Sequence, residues 1–262
     1  MDITARASGQ GTSSPPPSSA TCSPHSDLAS LMKKVGAEFI GTLILMIAGI
    51  GTAIVNQNSK GGSATLQAAA SAGLAAAIVV QSTSHISGAH LNPAITIALA
   101  ASRRFAWKQV PLYIATHVAA SISAAMLLAV LFGPVRSGAG TNVPSGGNLQ
   151  AFALEFLITF ILMFVVSAVT HTRTELGAAT IGATIMLNVL IAGGTTGGCM
   201  NPARALGPAV ATGNYKGLWI YLIAPIAGAL LGAAAYAAVR LRTNGDATNE
   251  PSSAAAMSNE GS

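Results

Sequence analysis

The sequence predicts an all-α membrane protein with six transmembrane helices and two re-entrant half-helices arranged as an inverted repeat. The first observation is composition: 51% of the 262 residues are hydrophobic and only 8% are charged, against roughly a quarter charged in soluble domains. The second is a series of apolar stretches near the length of a membrane span. The third is the tripeptide Asn-Pro-Ala, which occurs twice before apolar runs too short to cross a bilayer.

Six stretches come close to the ~20 residues that cross a hydrocarbon core of ~30 Å. The second of them is rich in Ala and Ser and is therefore weaker, but it contains no charged residue. We predict a transmembrane helix over each of the six. In chain order they are 35–55, 64–82, 109–133, 151–170, 176–193 and 217–239.

The two Asn-Pro-Ala tripeptides predict half-helices. Proline suits the first position of a helix, where its missing N–H costs nothing, and asparagine suits the N-cap before it. The apolar run after the first proline ends at two arginines, so this helix is about 15 Å long, half of the bilayer core. The run 202–213 is likewise too short. The tripeptides comprise Asn92, Pro93, Ala94, Asn201, Pro202 and Ala203.

The two halves of the chain form a repeat. VGAEFIGTLILMIAGIG begins the first half and FALEFLITFILMFVVSA begins the second, and the two align at Glu38 and Glu155. The repeats cover about 35–133 and 151–239, with three crossings each. Because three is odd, the second repeat enters the membrane upside down, and the two tripeptides should meet near the midplane.

Charge and composition predict the orientation and the domain limits. Lys33, Lys34, Arg103, Arg104, Lys108, Arg173, Arg240 and Arg242 fall on one side of the predicted topology, and Lys60, Arg136 and Lys216 fall on the other. This bias places both termini in the cytoplasm. Residues 1–32 and 243–262 are polar and small, so we expect disordered tails flanking a membrane domain over 33–242. The net charge of +5 is spread over the membrane edges, so no nucleic-acid partner is expected.

Opposed helix N-termini in mid-membrane suit a passive channel for uncharged solutes. Two amide donors and two positive dipole ends would hold a solute oxygen and raise a barrier against protons and cations. An intramembrane enzyme is disfavoured, since the chain has no His/Cys/Asp cluster and no nucleophile–base spacing. No metal or cofactor is therefore expected. A coupled secondary transporter and a junction protein with a closed pore remain alternatives.

At these motifs the chain resembles the aquaporin (major intrinsic protein) family, across roughly 33–242. The matching segments are AEFIGT, SGAHLNPAITIA, ALEFLITF and GGCMNPARALGPAV. GAHLNPA, FAWKQVPLYI and TGNYKGLWIYLIAPIAGALLGA look like the plant nodulin-26-like proteins. The resemblance implies a pore in each monomer, a homotetramer and a multi-pass protein of the plasma membrane. It also implies that Glu38 and Glu155 brace the pore loops; an intramembrane acid otherwise suggests a proton relay. His90 is expected to order its loop rather than bind a metal.

The resemblance further places a selectivity filter at Ala72, Val189, Gly198 and Arg204. Water-selective members have an aromatic residue and a histidine where this chain has alanine and valine. The implied aperture is wider and poorer in hydrogen-bonding groups, and it resembles the boric-acid type rather than the silicic-acid type with Gly and Ser at the first two positions. Glycerol, urea and arsenous acid are similar in size and neutrality, and a water-selective channel remains the alternative.

Overall fold

The computed structural model describes residues 24–58, 63–132, 140–172 and 174–241. Within these ranges the secondary structure is helical, and a short 3-10 helix, Trp107–Gln109, precedes α4. The α-helices are α1 (Pro24–Asn58), α2 (Ala64–Ser87), α3 (Pro93–Ala101), α4 (Val110–Phe132), α5 (Asn148–Thr172), α6 (Gly177–Ala192), α7 (Pro202–Thr212) and α8 (Leu218–Val239). Lys60, Arg136, Arg173 and Arg242 of the charge pattern lie outside the described residues, as do 1–23 and 243–262 of the predicted tails.

The predicted spans and half-helices are helical within the described residues, and residue 133 of the third span lies outside them. Among the described residues, five helices are long and apolar enough to cross a membrane: α1, α2, α4, α5 and α8. The remaining predicted span, α6, is an apolar helix of 16 residues, about 24 Å long, and turn residues continue it at its C-terminal end. At 9 and 11 residues, α3 and α7 are half-helices.

The first helix begins earlier than the sequence suggested. It starts at Pro24, so residues 24–32 are helical and the expectation of a disordered tail up to residue 32 is wrong for them. Proline is pre-organised for a first helical turn, and Asp27 in that turn interacts favourably with the helix dipole. The polar composition of residues 24–32 suggested a tail, whereas Pro24 and Asp27 favour the start of a helix.

The packing of the helices follows the repeat. Within the first repeat α1 packs against α2 and α4, and within the second α5 packs against α6 and α8. Each half-helix packs against the last helix of the other repeat: α3 against α8, and α7 against α4. Finally α2 packs against α6, and α3 meets α7. Each of these contacts has its counterpart under exchange of the two repeats, as expected for an inverted repeat.

Small residues permit the closest helix crossings. A Cβ on Gly73 of α2 would lie 2.7 Å from the carbonyl oxygen of Gly182 on α6, and a Cβ on Gly182 would in turn press on the Gly73 carbonyl. On α8, a Cβ on Gly228 would meet the carbonyl oxygen of Phe156 in α5. These are backbone-to-backbone approaches, which any larger residue would separate.

We expect Gly228→Ala to destabilise the protein by about 1–3 kcal/mol, because the added methyl group must displace the backbone of α5. Thermal unfolding of the purified protein in detergent micelles measures this. Gly36→Ala is the matched control, since a Cβ there meets nothing within 4 Å. Equal unfolding midpoints for the two variants would contradict the packing described for α5 and α8.

Candidate functional site

Each predicted half-helix is capped by the asparagine before its proline. The side-chain oxygen of Asn92 accepts a hydrogen bond from the backbone N–H of Ala94 at 2.9 Å. The side-chain oxygen of Asn201 accepts from the N–H groups of Ala203 and Arg204 at 3.0 and 3.3 Å. Both asparagines are 5% exposed. The N-cap positions predicted for them are confirmed.

The two caps are also bonded to each other's loops. The amide nitrogen of Asn92 donates to the carbonyl oxygen of Met200 at 2.8 Å, and that of Asn201 donates to the carbonyl oxygen of Leu91 at 2.9 Å. These reciprocal bonds hold the N-termini of α3 and α7 face to face. A carboxamide has two N–H donors, so each asparagine keeps a second donor besides the one used across the pair.

The backbone before each asparagine is strained in the same way. Leu91 and Met200 both have a φ of 55°, in the left-handed region. Side chains with a Cβ reach this region at a cost of roughly 1–2 kcal/mol. Two positions before these residues, Ala89 and Gly198 also have positive φ values, 49° and 58°. The strained turn reverses the chain so that each half-helix starts at the centre of the molecule.

Two fully buried carboxylates hold these turns. Glu38 of α1 accepts hydrogen bonds from the backbone N–H groups of His90 and Leu91 at 2.9 and 2.8 Å. Glu155 of α5 accepts from those of Cys199 and Met200 at 2.9 and 2.8 Å. Both glutamates are 0% exposed. A carboxylate offers enough lone pairs for several donors, so each satisfies backbone N–H groups that have no helical partner.

The remaining partner of each carboxylate differs between the repeats. Glu38 is joined by Nε2 of His117 at 2.7 Å, whereas Glu155 is joined by the hydroxyl of Thr196 at 2.6 Å. The sequence analysis did not connect His117 to Glu38. The sequence offered only the occurrence of a histidine and an acid within two of the predicted spans. Neither carboxylate lines the cavity described below, so the geometry gives them a bracing role.

His90 contributes to the first loop from within. Its ring nitrogen Nδ1 lies 3.1 Å from the hydroxyl of Thr96 in α3. Its ring packs against those of Phe105 and Tyr113 with centroids 4.6 and 5.1 Å apart. No group of three or more His, Cys, Asp or Glu side chains suited to a metal occurs in the part of the chain that the structure describes. These contacts place His90 in the packing of its loop.

A cavity of about 360 Å³ is lined by residues of both repeats. Its wall includes both asparagines, Asn92 and Asn201, which lie where the half-helices meet. It also includes the four residues that the resemblance assigns to the filter: Ala72, Val189, Gly198 and Arg204. The prolines and alanines of the two tripeptides do not line it; Pro93, Ala94, Pro202 and Ala203 are buried in the first turns of their helices.

The four positions, called the filter end of the cavity below, come from different parts of the chain. Ala72 lies on α2 and Val189 on α6, the two helices in close contact. A Cβ on Gly198 would lie 3.0 Å from Cα of Val189, so any side chain there would press on the valine. Nε of Arg204 lies 3.9 Å from the Cβ position of Gly49 on α1, a neighbour that the sequence analysis did not identify.

The guanidinium of Arg204 is held by the segment that precedes α5. Its Nη1 donates to the side-chain oxygen of Asn142, and the amide nitrogen of Asn142 donates to the carbonyl of Thr196 at 3.0 Å. Asn142 is only 6% exposed. The carbonyl oxygen of Thr196 also accepts a hydrogen bond from the hydroxyl of Tyr221 at 3.0 Å. Nothing in the local sequence marked Asn142, because its partners lie more than fifty residues further along the chain.

The sequence matches the major intrinsic protein family over residues 25–236. The chain belongs to this family. Aquaporin NIP6-1 of Arabidopsis thaliana is 56% identical over 233 residues, which cover 88% of this chain and 76% of that protein. The probable aquaporin NIP5-1 of the same plant is 55% identical over 225 residues, covering 85% and 73%. Aquaporin NIP3-1 of Zea mays is 55% identical over 218 residues, covering 81% and 72%.

A solved structure agrees with this assignment. The aquaglyceroporin from Plasmodium falciparum superposes with a TM-score of 0.71 over 80% of this chain and 96% of that one, at 24% sequence identity. At that identity the likeness shows the fold. The family membership makes this chain a multi-pass membrane channel for small solutes rather than an enzyme. The predicted likeness to nodulin-26-like proteins is confirmed by the plant relatives.

We expect Glu155→Ala to destabilise the protein by at least about 3 kcal/mol, because two backbone N–H groups and one hydroxyl lose their acceptor in a dry interior. Glu155→Gln keeps one acceptor oxygen and should fall between this variant and the parent. The exposed Glu175→Ala serves as control. Unfolding in detergent micelles gives the ranking, and an alanine variant at position 155 as stable as the control would overturn the bracing role.

Proposed function

We propose that the chain is a passive channel for boric acid and similar small neutral hydroxylated solutes, with low water permeability. The observation that carries this proposal is the wall of the cavity at its filter end. Three of the four residues there carry no hydrogen-bonding side chain, namely Ala72, Val189 and Gly198. The fourth, Arg204, supplies donors from a guanidinium fixed by Asn142.

The chemistry of that wall favours a solute that brings its own hydrogen bonds. A lone water molecule entering a ring of apolar groups gives up hydrogen bonds that the wall does not replace. A planar trihydroxy acid such as boric acid carries three hydroxyls, so one oxygen can accept from Arg204 while the rest of the molecule fills the space left by the small residues. The ring therefore admits a wider solute than a water filter does.

Further along the cavity, the asparagine pair supports the same class of solute. Asn92 and Asn201 line the cavity, and each has a donor beyond the one bonded to the opposite loop. Two helix N-termini also point their partial positive charges at this place. An oxygen-bearing neutral molecule is stabilised there, whereas a cation meets two positive dipole ends and then the charge of Arg204. Glycerol, urea and arsenous acid share the favoured chemistry.

The alternatives differ in kinetics and in rank order. A water-selective channel would pass water and reject boric acid, whereas a coupled transporter would show saturable uptake driven by a second gradient. Backbone pairs as close as Gly73 with Gly182 favour a fixed channel, because they leave no room for helices to slide past each other. A channel is the simpler account of a cavity held by paired loops.

The proposed setting of the channel rests on the family and on charge. We propose a homotetramer in the plasma membrane with both termini in the cytoplasm. Many large apolar side chains on the helix surfaces are exposed in the single chain, including Leu74 and Val130 at 64% and 81%, and lipid or neighbouring copies would cover them. Among the described residues, Lys33, Lys34 and Arg240 lie on the side assigned to the cytoplasm.

We expect proteoliposomes containing the chain to take up boric acid much faster than empty liposomes, with glycerol slower and water little accelerated. Stopped-flow light scattering measures all three permeabilities on one preparation. Linear dependence of the initial rate on the gradient would fit a channel. Fast water with no boric acid entry would contradict the proposed solute while leaving the fold intact.

Narrowing the filter should block passage of the solute and leave the fold unchanged. We expect Ala72→Phe to lower boric acid permeability by about tenfold or more, since a ring then occupies the space beside Arg204. Leu74→Phe is the control, because it also places an aromatic ring on α2 but at a residue 64% exposed on the outer face. Equal permeabilities of the two variants, at equal reconstituted amounts, would show that Ala72 does not border the solute path.

A further inference from the structure

A second cavity, of about 320 Å³, lies between the end of α3 and the helices α5 and α8. It shares no lining residue with the central cavity. Two arginines line it: Arg104, three residues after the end of α3, and Arg240, directly after the end of α8. Both stand where a helix leaves the apolar layer, so the cavity has a cationic mouth.

The charge at this mouth has a defined position. Nη1 of Arg104 donates to the carbonyl oxygen of Ser167 at 3.2 Å and to the hydroxyl of Thr170 at 3.0 Å. Both acceptors are neutral, so they orient the guanidinium without cancelling its charge. A guanidinium has five N–H donors, and one nitrogen is used here. Nη1 of Arg240 lies 3.3 Å from Nδ1 of His171. The described residues that line the cavity include no acidic side chain.

Behind the mouth the wall is apolar. Leu230, Ala233, Ala234 and Ala237 of α8 contribute to it. From Leu230 to Arg240 the helix rises about 15 Å, half the thickness of a hydrocarbon core. Leu230 and Ala234 of α8 are exposed in the single chain. The cavity is therefore amphipathic, with cationic groups at the membrane surface and a groove of small apolar side chains below.

We propose that this cavity binds an anionic phospholipid, with its phosphate at Arg104 and Arg240 and the start of an acyl chain along the alanines of α8. Arginine forks match phosphate oxygens in two-point hydrogen bonds. In the orientation proposed above, on which this inference rests, both arginines lie on the cytoplasmic side. Anionic lipids are concentrated there, and basic pockets between helices bind their head groups.

The bound lipid would link the first half-helix, α3, to α8. Arg104 follows α3, which begins at the asparagine pair, and Arg240 ends α8, the helix against which α3 packs. One phosphate bridging the two arginines joins the outer end of α3 to α8. Lipid binding should therefore raise the unfolding midpoint of the whole channel, a readout that does not depend on which solute it passes.

The test is the thermal unfolding midpoint of the full chain in neutral detergent micelles, titrated with dioctanoyl phosphatidylserine. Dioctanoyl phosphatidylcholine and inorganic phosphate are titrated in parallel. We expect a saturable rise with phosphatidylserine, and little change with either comparison probe. A rise as large with phosphatidylcholine, or with inorganic phosphate, overturns the proposal of an anionic lipid site.

Variants that remove equal charge distinguish lipid binding in this cavity from a general effect of surface charge. Arg104→Gln/Arg240→Gln should weaken phosphatidylserine binding by about 30-fold, given the effect of a basic residue near an anionic head group. Lys33→Gln/Lys34→Gln removes the same charge from the start of α1 and should bind as the parent does. Equal weakening of both variants, or of neither, refutes the site. If the first variant does not fold, Arg240→Gln alone replaces it, with about fivefold weakening expected and unchanged binding contradicting the proposal.

Discussion

Backbone N–H groups in the middle of a membrane have no water to bond, and the rest of this structure depends on how the chain satisfies them. Two half-helices can start at the midplane only because Glu38 and Glu155 each accept the last two N–H groups before the asparagine. The same carboxylates hold Leu91 and Met200 in left-handed conformations that would otherwise be avoided. With the turns fixed, the asparagines cap their helices, bond to the opposite loop and line the cavity.

The two repeats share this backbone but carry different side chains, and the difference gives the cavity its direction. Arg204 stands three residues after Asn201, whereas the matching position after Asn92 is Ile95, which also lines the cavity. One turn therefore supplies a cation and donors at one end, and its counterpart supplies an apolar wall. In the described part of the chain, a segment outside the half-helices holds Arg204 of the second repeat through Asn142. We propose that selectivity arises from this departure from symmetry.

Local sequence patterns predict much of this arrangement. Each half-helix was predictable because Asn-Pro-Ala contains both the N-cap residue and the proline of the first turn. The inverted repeat was predictable because each half of the chain has an odd number of membrane crossings. The contacts of His117, Asn142 and Asn188 were not predictable, because each bonds to a partner in a distant element that no nearby pattern specifies. Asn188, for example, donates to the carbonyl of Ile158 on α5. The start of α1 was misplaced because polar composition was given more weight than Pro24 and Asp27.

We propose that a neutral hydroxylated solute passes through the cavity between the filter end and the asparagine pair. Crystals soaked in arsenous acid, measured at the arsenic absorption edge, test it most directly, because anomalous scattering locates the solute without ambiguity. The account predicts anomalous peaks inside the cavity, beside Arg204 and near Asn92 and Asn201. Peaks confined to the outer surfaces of the helices, or at an interface between chains, would contradict it.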